Sequence, residues 1–306
     1  MAGINPFTVA GFDSPMQPLC PFRHEHDDLY VGVDDSERQY ERFRRHLGDL
    51  SSLRSDGRIA LVTGDTGCGK SALVNRCAAW VVRKLTALGV TANVVDATTA
   101  LAAARPSSPA ERLAAVTDHL FDALRHLDVL EPTTLAEFEL NRTNPMRVYR
   151  NLYRYLRPDH ALVVLLPSPG VRWDEVVTYA DLRQGNVLFV AESDALGEKD
   201  VARIANAVER HTRLVDLRVG ALKPGDVRAF VADRFGRHRA GRFPALADAV
   251  PEWADSLALT VGQLQRILHS TYEHLLDQDT DYGDRPVTKE DILADIRRRN
   301  RLLDAP

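Results

Sequence analysis

The run Gly64-Asp65-Thr66-Gly67-Cys68-Gly69-Lys70-Ser71 constrains this chain more than any other stretch of it. Gly64, Gly69, Lys70 and Ser71 meet the spacing G-x-x-x-x-G-K-[ST]. Such a loop turns successive backbone N–H groups inward toward phosphate oxygens, which requires glycine wherever a Cβ would clash. The helix that follows presents its partly positive N-terminus to the same oxygens. A chance match in a chain of about 300 residues is roughly one in a hundred, and the flanks sharpen the reading. Ile59-Ala60-Leu61-Val62-Thr63 has the continuous apolar character of a strand buried on both faces. From Lys70 to Ala87, Val74, Cys77, Ala78, Val81, Val82 and Leu85 form one helical stripe. The expected ligand is a nucleoside triphosphate, ATP with Mg²⁺. Lys70 would reach its β- and γ-phosphates, where it serves catalysis as well as binding, and the Ser71 hydroxyl would ligate the metal. Cys68 sits where a helix N-terminus can lower a thiol pKa, although a small residue that fits the loop is the simpler reading.

The remaining pattern predicts the setting of this loop. Strand-like runs at 93–96, 161–166, 187–191 and 214–219 alternate with helical segments, the signature of a parallel sheet covered by helices on both faces. After residue 219 the strands stop, and four helical stretches follow near 224–237, 244–257, 261–277 and 288–303. The expected fold is therefore α/β, with a C-terminal all-helical lid. The division reads as an extended N-terminal arm over 1–28, a phosphate-loop domain over 29–220 and the lid over 221–306. A helix over 34–50 is expected between arm and loop, with further helices over 110–127 and 145–156.

Composition narrows the function classes. No apolar run approaches the roughly 18–20 residues that cross a bilayer, and residues 1–21 lack a basic segment followed by an apolar one. With three cysteines and no CxxC, a reducing cytoplasm without membrane attachment is the expected setting. A net charge of −4 gives no global attraction to nucleic acid. Arg297-Arg298-Arg299-Asn300-Arg301 and Arg234-Phe235-Gly236-Arg237-His238-Arg239 are local basic runs, so a DNA or RNA face is open but not favoured.

The segment Leu29-Tyr30-Val31-Gly32-Val33-Asp34, leading into a helix about thirty residues before the phosphate loop, resembles the entry of AAA+ ATPases, where an apolar-Gly turn precedes an acidic helix. The five strands and helical lid are similar to the same family, particularly its origin-recognition-like and STAND-type branch. The resemblance implies that Gly32 lies beside the adenine and that the chain acts as an ATP-dependent switch or assembly ATPase, forming homo-oligomers and engaging a partner protein. It implies an arginine finger at Arg213, or at Arg210, acting on a neighbouring subunit's γ-phosphate. Glu192 and Ser193 stand where the family keeps a polar residue that senses that phosphate. Gly262-Gln263-Leu264-Gln265-Arg266 is similar to the lid element Gly-x-x-Arg, with Arg266 as the nucleotide-facing residue, although it stands four positions after the glycine rather than three.

One departure bears on catalysis. The family ends its third strand in Asp or Asp-Glu, whereas here 161–166 runs into Pro167-Ser168-Pro169-Gly170. Phosphoryl transfer needs positioned charge and an oriented nucleophile, so weak hydrolysis is expected unless Asp96 or Glu192 substitutes. The alternative function is a non-hydrolysing, nucleotide-bound scaffold that recruits a partner protein or DNA. Two other patterns read as structural. Thr288-Lys289-Glu290-Asp291 is a helix capping box rather than a guanine-recognition element. His24-Glu25-His26-Asp27-Asp28 is a solvated arm with no second ligand cluster.

Overall fold

The computed structural model describes residues 3–102, 108–208, 214–278 and 285–303. At its centre β1 (Arg58–Thr63) pairs in parallel with β4 (Val187–Ser193) on one side and β5 (Leu214–Arg218) on the other. β3 (His160–Leu165) continues the sheet beyond β4, and β2 (Thr91–Asp96) forms its edge, giving the all-parallel order β2-β3-β4-β1-β5. Thr63 is level with both Ser193 and Arg218. The connections leaving β1, β4 and β5 therefore emerge at one edge, where open α/β sheets bind ligands.

The central strands β1, β3 and β4 bury both faces, and the two-residue period sorts their side chains. Ile59 and Leu61 join a core with α4 (Pro109–His126), α6 (Pro145–Tyr155) and α7 (Trp173–Leu182). Ala60 and Val62 join another with α1 (Ser36–Leu47), α2 (Ser51–Asp56) and α3 (Lys70–Ala87). In β4 the same alternation sends Val187, Phe189 and Ala191 to the first core and Leu188 and Val190 to the second. A capping box between Ser108 and Glu111, with Pro109 in the first turn, starts α4. α8 (Glu198–Val208) precedes β5.

A third core joins α9 (Asp226–Arg237), α10 (Ala249–Asp255), α11 (Val261–Gln278) and α12 (Lys289–Leu303), the helical lid. Thr260 and Gln263 exchange side-chain to backbone hydrogen bonds that cap α11. Thr288 and Asp291 do the same at α12, as expected for a capping box.

Several elements depart from the sequence pattern. The helix expected over 34–50 ends at Leu47, and Leu50, with φ +66°, turns the chain into the separate α2. α5 (Pro132–Asn141) was not anticipated; it buries Phe138 at its centre. The stretch 244–257 is helical only from Ala249, because Leu246 bridges to Val287 instead.

Residues 3–26 carry no helix, yet they are firmly seated. Phe7 is fully buried among Phe230, Phe235 and Tyr272. Its carbonyl accepts a hydrogen bond from Gln265 Nε2 at 2.6 Å, and Asn5 Nδ2 donates to the His269 carbonyl at 3.0 Å. Further along, the Leu19 carbonyl accepts from Asn75 Nδ2 on α3 at 2.8 Å. His26, far from being solvated, is buried and accepts from the Cys20 N–H through Nδ1. No helix among the described residues is long and apolar enough to cross a membrane.

Candidate functional site

β1 ends at Thr63 and α3 begins at Lys70, so residues 64–69 form the bridge between them. Gly64 and Gly67 have φ of +149° and +82°. A Cβ on Gly64 would lie 2.2 Å from the Val219 carbonyl oxygen, and one on Gly67 would lie 2.9 Å from Thr260 Oγ1. Glycine is thus demanded by backbone conformation and by space together. Lys70 Nζ donates to the carbonyls of Gly64 and Asp65 at 2.9 and 2.8 Å, which holds the ammonium over the loop. Thr66 Oγ1 donates to Asp194 Oδ2 at 2.9 Å. Cys68 is fully buried with its thiol on the Asp65 carbonyl. Burial pushes that thiol up to about 11 despite the nearby Lys70 charge, so Cys68 is a packing residue rather than a reactive one.

The lid rests directly on this loop. The N–H of Gly262, in the first turn of α11, donates to the Gly67 carbonyl at 2.8 Å. Between loop, lid and arm lies a cleft of about 510 Å³ bordered by Gly67, Lys70, Ser71, Glu192, Gln265 and Met16, among others. That size suits a small-molecule ligand. Arg234 of α9 also borders it, although only 7% of its surface is exposed. Its nearest carboxylate, Asp233, is 3.7 Å away, its guanidinium sits over the Phe230 ring, and its Nε has no hydrogen-bond partner among the described residues. Burial lowers its pKa. A buried, underpaired cation beside a phosphate loop has the charge and the unmet hydrogen bond to accept an anion. Read from the sequence, Arg234 belonged to a surface basic run; only the packing of α9 turns it inward.

At the mouth of α3, Ser71 Oγ donates to Glu192 Oε1 at 2.9 Å. The other oxygen, Glu192 Oε2, is buried with no hydrogen-bond partner among the described residues. Burial raises the Glu192 pKa, opposed by the Ser71 hydrogen bond and the charge of Lys70. A hydroxyl and an orphaned carboxylate oxygen form a hard-oxygen donor pair of the kind Mg²⁺ takes when phosphates complete its shell. The described residues contain no cluster of three His, Cys, Asp or Glu side chains that could hold a metal alone.

No protein-family model matches the sequence, and a search of curated proteins finds no match. Solved structures do match. The Aeropyrum pernix ORC1 protein in complex with DNA superposes with a TM-score of 0.59 at 18% identity, over 90% of this chain and 68% of that one. Drosophila ORC bound to DNA gives 0.52 at 14% identity, over 96% and 68%. The Aeropyrum pernix ORC2 protein in its ADPNP-ADP complexes gives 0.50 at 13% identity, over 97% and 72%. The fold is that of AAA+ ATPases.

Within this AAA+ fold the positions singled out from the sequence separate. Gly32 is exposed and lies against Glu37, whereas its neighbours Val31, Val33 and Asp34 line a smaller cavity beside Gly69. Arg266 is exposed and borders neither cavity; Gln265, three positions after Gly262, lines the cleft instead. Ser193 is fully buried, donating to the Gly170 carbonyl and accepting from the N–H groups of Ala195 and Leu196, so Glu192 alone of that pair meets Ser71. Asp96 is held by Arg23 and Thr98. Arg210 and Arg213 lie outside the described residues. In the last basic run, Arg298 and Arg299 pair with the buried Asp295.

Proposed function

We propose that this chain is an ATP-dependent switch or assembly ATPase that binds ATP·Mg²⁺ between the phosphate loop and the lid. The observation that carries this reading is the direct bond from Gly262 of the lid to Gly67 of the loop, over a cleft bordered by Lys70, Ser71 and the underpaired Arg234. Gly64 to Ser71 cradle the phosphates, Lys70 and Arg234 neutralise them, and Ser71 ligates the metal. Magnesium, held by Ser71, would supply neutralisation of the phosphate charge. Because the lid touches the loop, nucleotide in the cleft sets the lid angle, and the lid angle sets self-association.

Hydrolysis is proposed to be slow, since Pro167-Ser168 brings no carboxylate to the end of β3. The same observation favours the second reading, a nucleotide-bound scaffold that recruits a partner protein. DNA accompanies the ORC1 and Drosophila ORC neighbours; in this chain Arg234 is buried and Arg298 and Arg299 share the single carboxylate of Asp295, so the basic runs do not favour nucleic acid.

Thermal unfolding tests the core claim. ATP·Mg²⁺ at a hundred times Kd stabilises the native state by about 2.7 kcal/mol, and Lys70→Ala removes the rise in Tm. An unchanged wild-type melting curve at millimolar ATP overturns nucleotide binding. Light scattering with and without ATP, paired with phosphate release, separates the readings: turnover in the ordinary range of about 1–1,000 s⁻¹ excludes the scaffold. A protein that stays monomeric with ATP excludes the assembly ATPase.

A further inference from the structure

The AAA+ arrangement places its metal-directed carboxylate at the end of the third strand, where this chain has Pro167 and Ser168. The sheet geometry supplies another from the adjacent strand. Val190 of β4 faces the core shared with α3, so the two-residue period aims Glu192 at the same side, toward the first turn of α3. There its carboxylate accepts the Ser71 hydroxyl at 2.9 Å, and its second oxygen is buried and unpartnered among the described residues. Lys70 does not neutralise it by contact, because the ammonium is committed to the carbonyls of Gly64 and Asp65. Asp194 and Asp96 add negative charge to the neighbourhood.

Three other carboxylates nearby have partners of their own. Asp96 is taken by Arg23 at one oxygen and by the Thr98 hydroxyl and N–H at the other. Glu175 is bound by Arg112, and Asp194 accepts from Thr66. A buried carboxylate beside the seat of a triphosphate repels that ligand unless a cation lies between them. Ser71, the expected metal ligand of the loop, is the residue it touches.

We propose that Glu192 is the carboxylate that holds Mg²⁺ against Ser71, so that β4 does in this chain what β3 does elsewhere in the fold. The inference rests on the nucleotide-binding reading and deepens it. Its consequence is an unusually strict linkage between metal and nucleotide. With the metal, Glu192 adds to ATP binding; without it, the same charge opposes the phosphates.

The test is the ratio of ATP dissociation constants measured in EDTA and in Mg²⁺, by calorimetry, on the full chain. Wild type is expected to show a ratio of a hundredfold or more. Glu192→Gln, nearly isosteric and still able to bond Ser71, should reduce the ratio at least tenfold from both ends: weaker ATP with Mg²⁺ and tighter ATP without it. Glu192→Asp keeps the charge but withdraws it by one methylene, so it should fall between, and it serves in place of the amide if that variant does not fold. Asp96→Asn should retain the wild-type ratio. A ratio within twofold of wild type in both Glu192 variants overturns the assignment, as does a collapse of the ratio in Asp96→Asn alone. If wild type binds ATP in neither buffer, the nucleotide reading itself has failed and this inference falls with it.

Discussion

Replacing Gly262 by alanine tests whether the lid reads the loop through contact. A Cβ at this position would lie 2.8 Å from the Gly67 carbonyl oxygen, 3.3 Å from Gly67 Cα and 2.9 Å from Met16 Cε. The methionine end can move at little cost; the loop backbone cannot, since Gly67 is itself held in a left-handed conformation against Thr260. The start of α11 must therefore retreat by some tenths of an ångström, stretching the 2.8 Å bond from the Gly262 N–H. Overpacking costs about 1–3 kcal/mol and a weakened hydrogen bond about 0.5–1.5 kcal/mol, against about 0.5–1 kcal/mol that alanine returns in a helix. The net expectation is a loss of roughly 1–3 kcal/mol in urea unfolding, with ATP affinity down about tenfold for each 1.4 kcal/mol that reaches the binding site. Gly236→Ala is the matched control: it lies inside α9 with no atom within 4 Å of a new Cβ, and should stabilise by about 0.5–1 kcal/mol with ATP binding untouched. If Gly262→Ala also raises stability and leaves the Kd unchanged, helix propensity outweighs the contact, and the lid does not report on the loop in this way.

Arg234→Met keeps the bulk of the side chain and deletes its buried charge. ATP affinity by calorimetry should fall tenfold or more while the Tm holds or rises, since an underpaired cation no longer has to be buried. Burial pushes the Asp34 carboxyl up to about 7, so the native state disfavours the charged form. Its contribution is intact below about pH 4 and is lost as pH rises through 7. Asp34→Asn should gain on wild type by up to roughly 4 kcal/mol between pH 4 and 8, read from urea melts at the two ends. Phe7→Ala removes a fully buried ring from the lid core and should cost about 3–5 kcal/mol; a loss under 1 kcal/mol would show that the arm is not part of that core.

The features legible in the sequence were those encoded locally. The apolar runs of β1, β3 and β4, the glycine spacing of the loop and the Thr288–Asp291 cap each express a rule spanning a few residues. What escaped depends on distant partners. Nothing near Phe7 shows that it completes the core around Tyr272, and nothing in the basic run 234–239 shows that its first arginine turns inward while Arg237 pairs with Asp233. The resemblance to Gly-x-x-Arg points to Arg266, one position beyond the family spacing, whereas the helix leaves that arginine exposed and brings Gln265 to the cleft. Glu192 is legible as a polar strand end that could replace the missing third-strand carboxylate, and the alternation of β4 gives its side, but its distance to Ser71 requires the sheet order.

The seating of Phe7 against Tyr272 carries a consequence for biosynthesis. The two are 265 positions apart (272 − 7), and at about 5–20 residues per second the ring waits on the order of 15–50 s after its own synthesis for that partner. The loop and its strands can pair meanwhile, but the lid core stays open until α11 has been made. Holding the nascent chain at a stall site before Tyr272 should leave a phosphate-loop sheet without a closed roof, and a bulky group attached near Asn5 should slow the final docking step while leaving sheet formation alone.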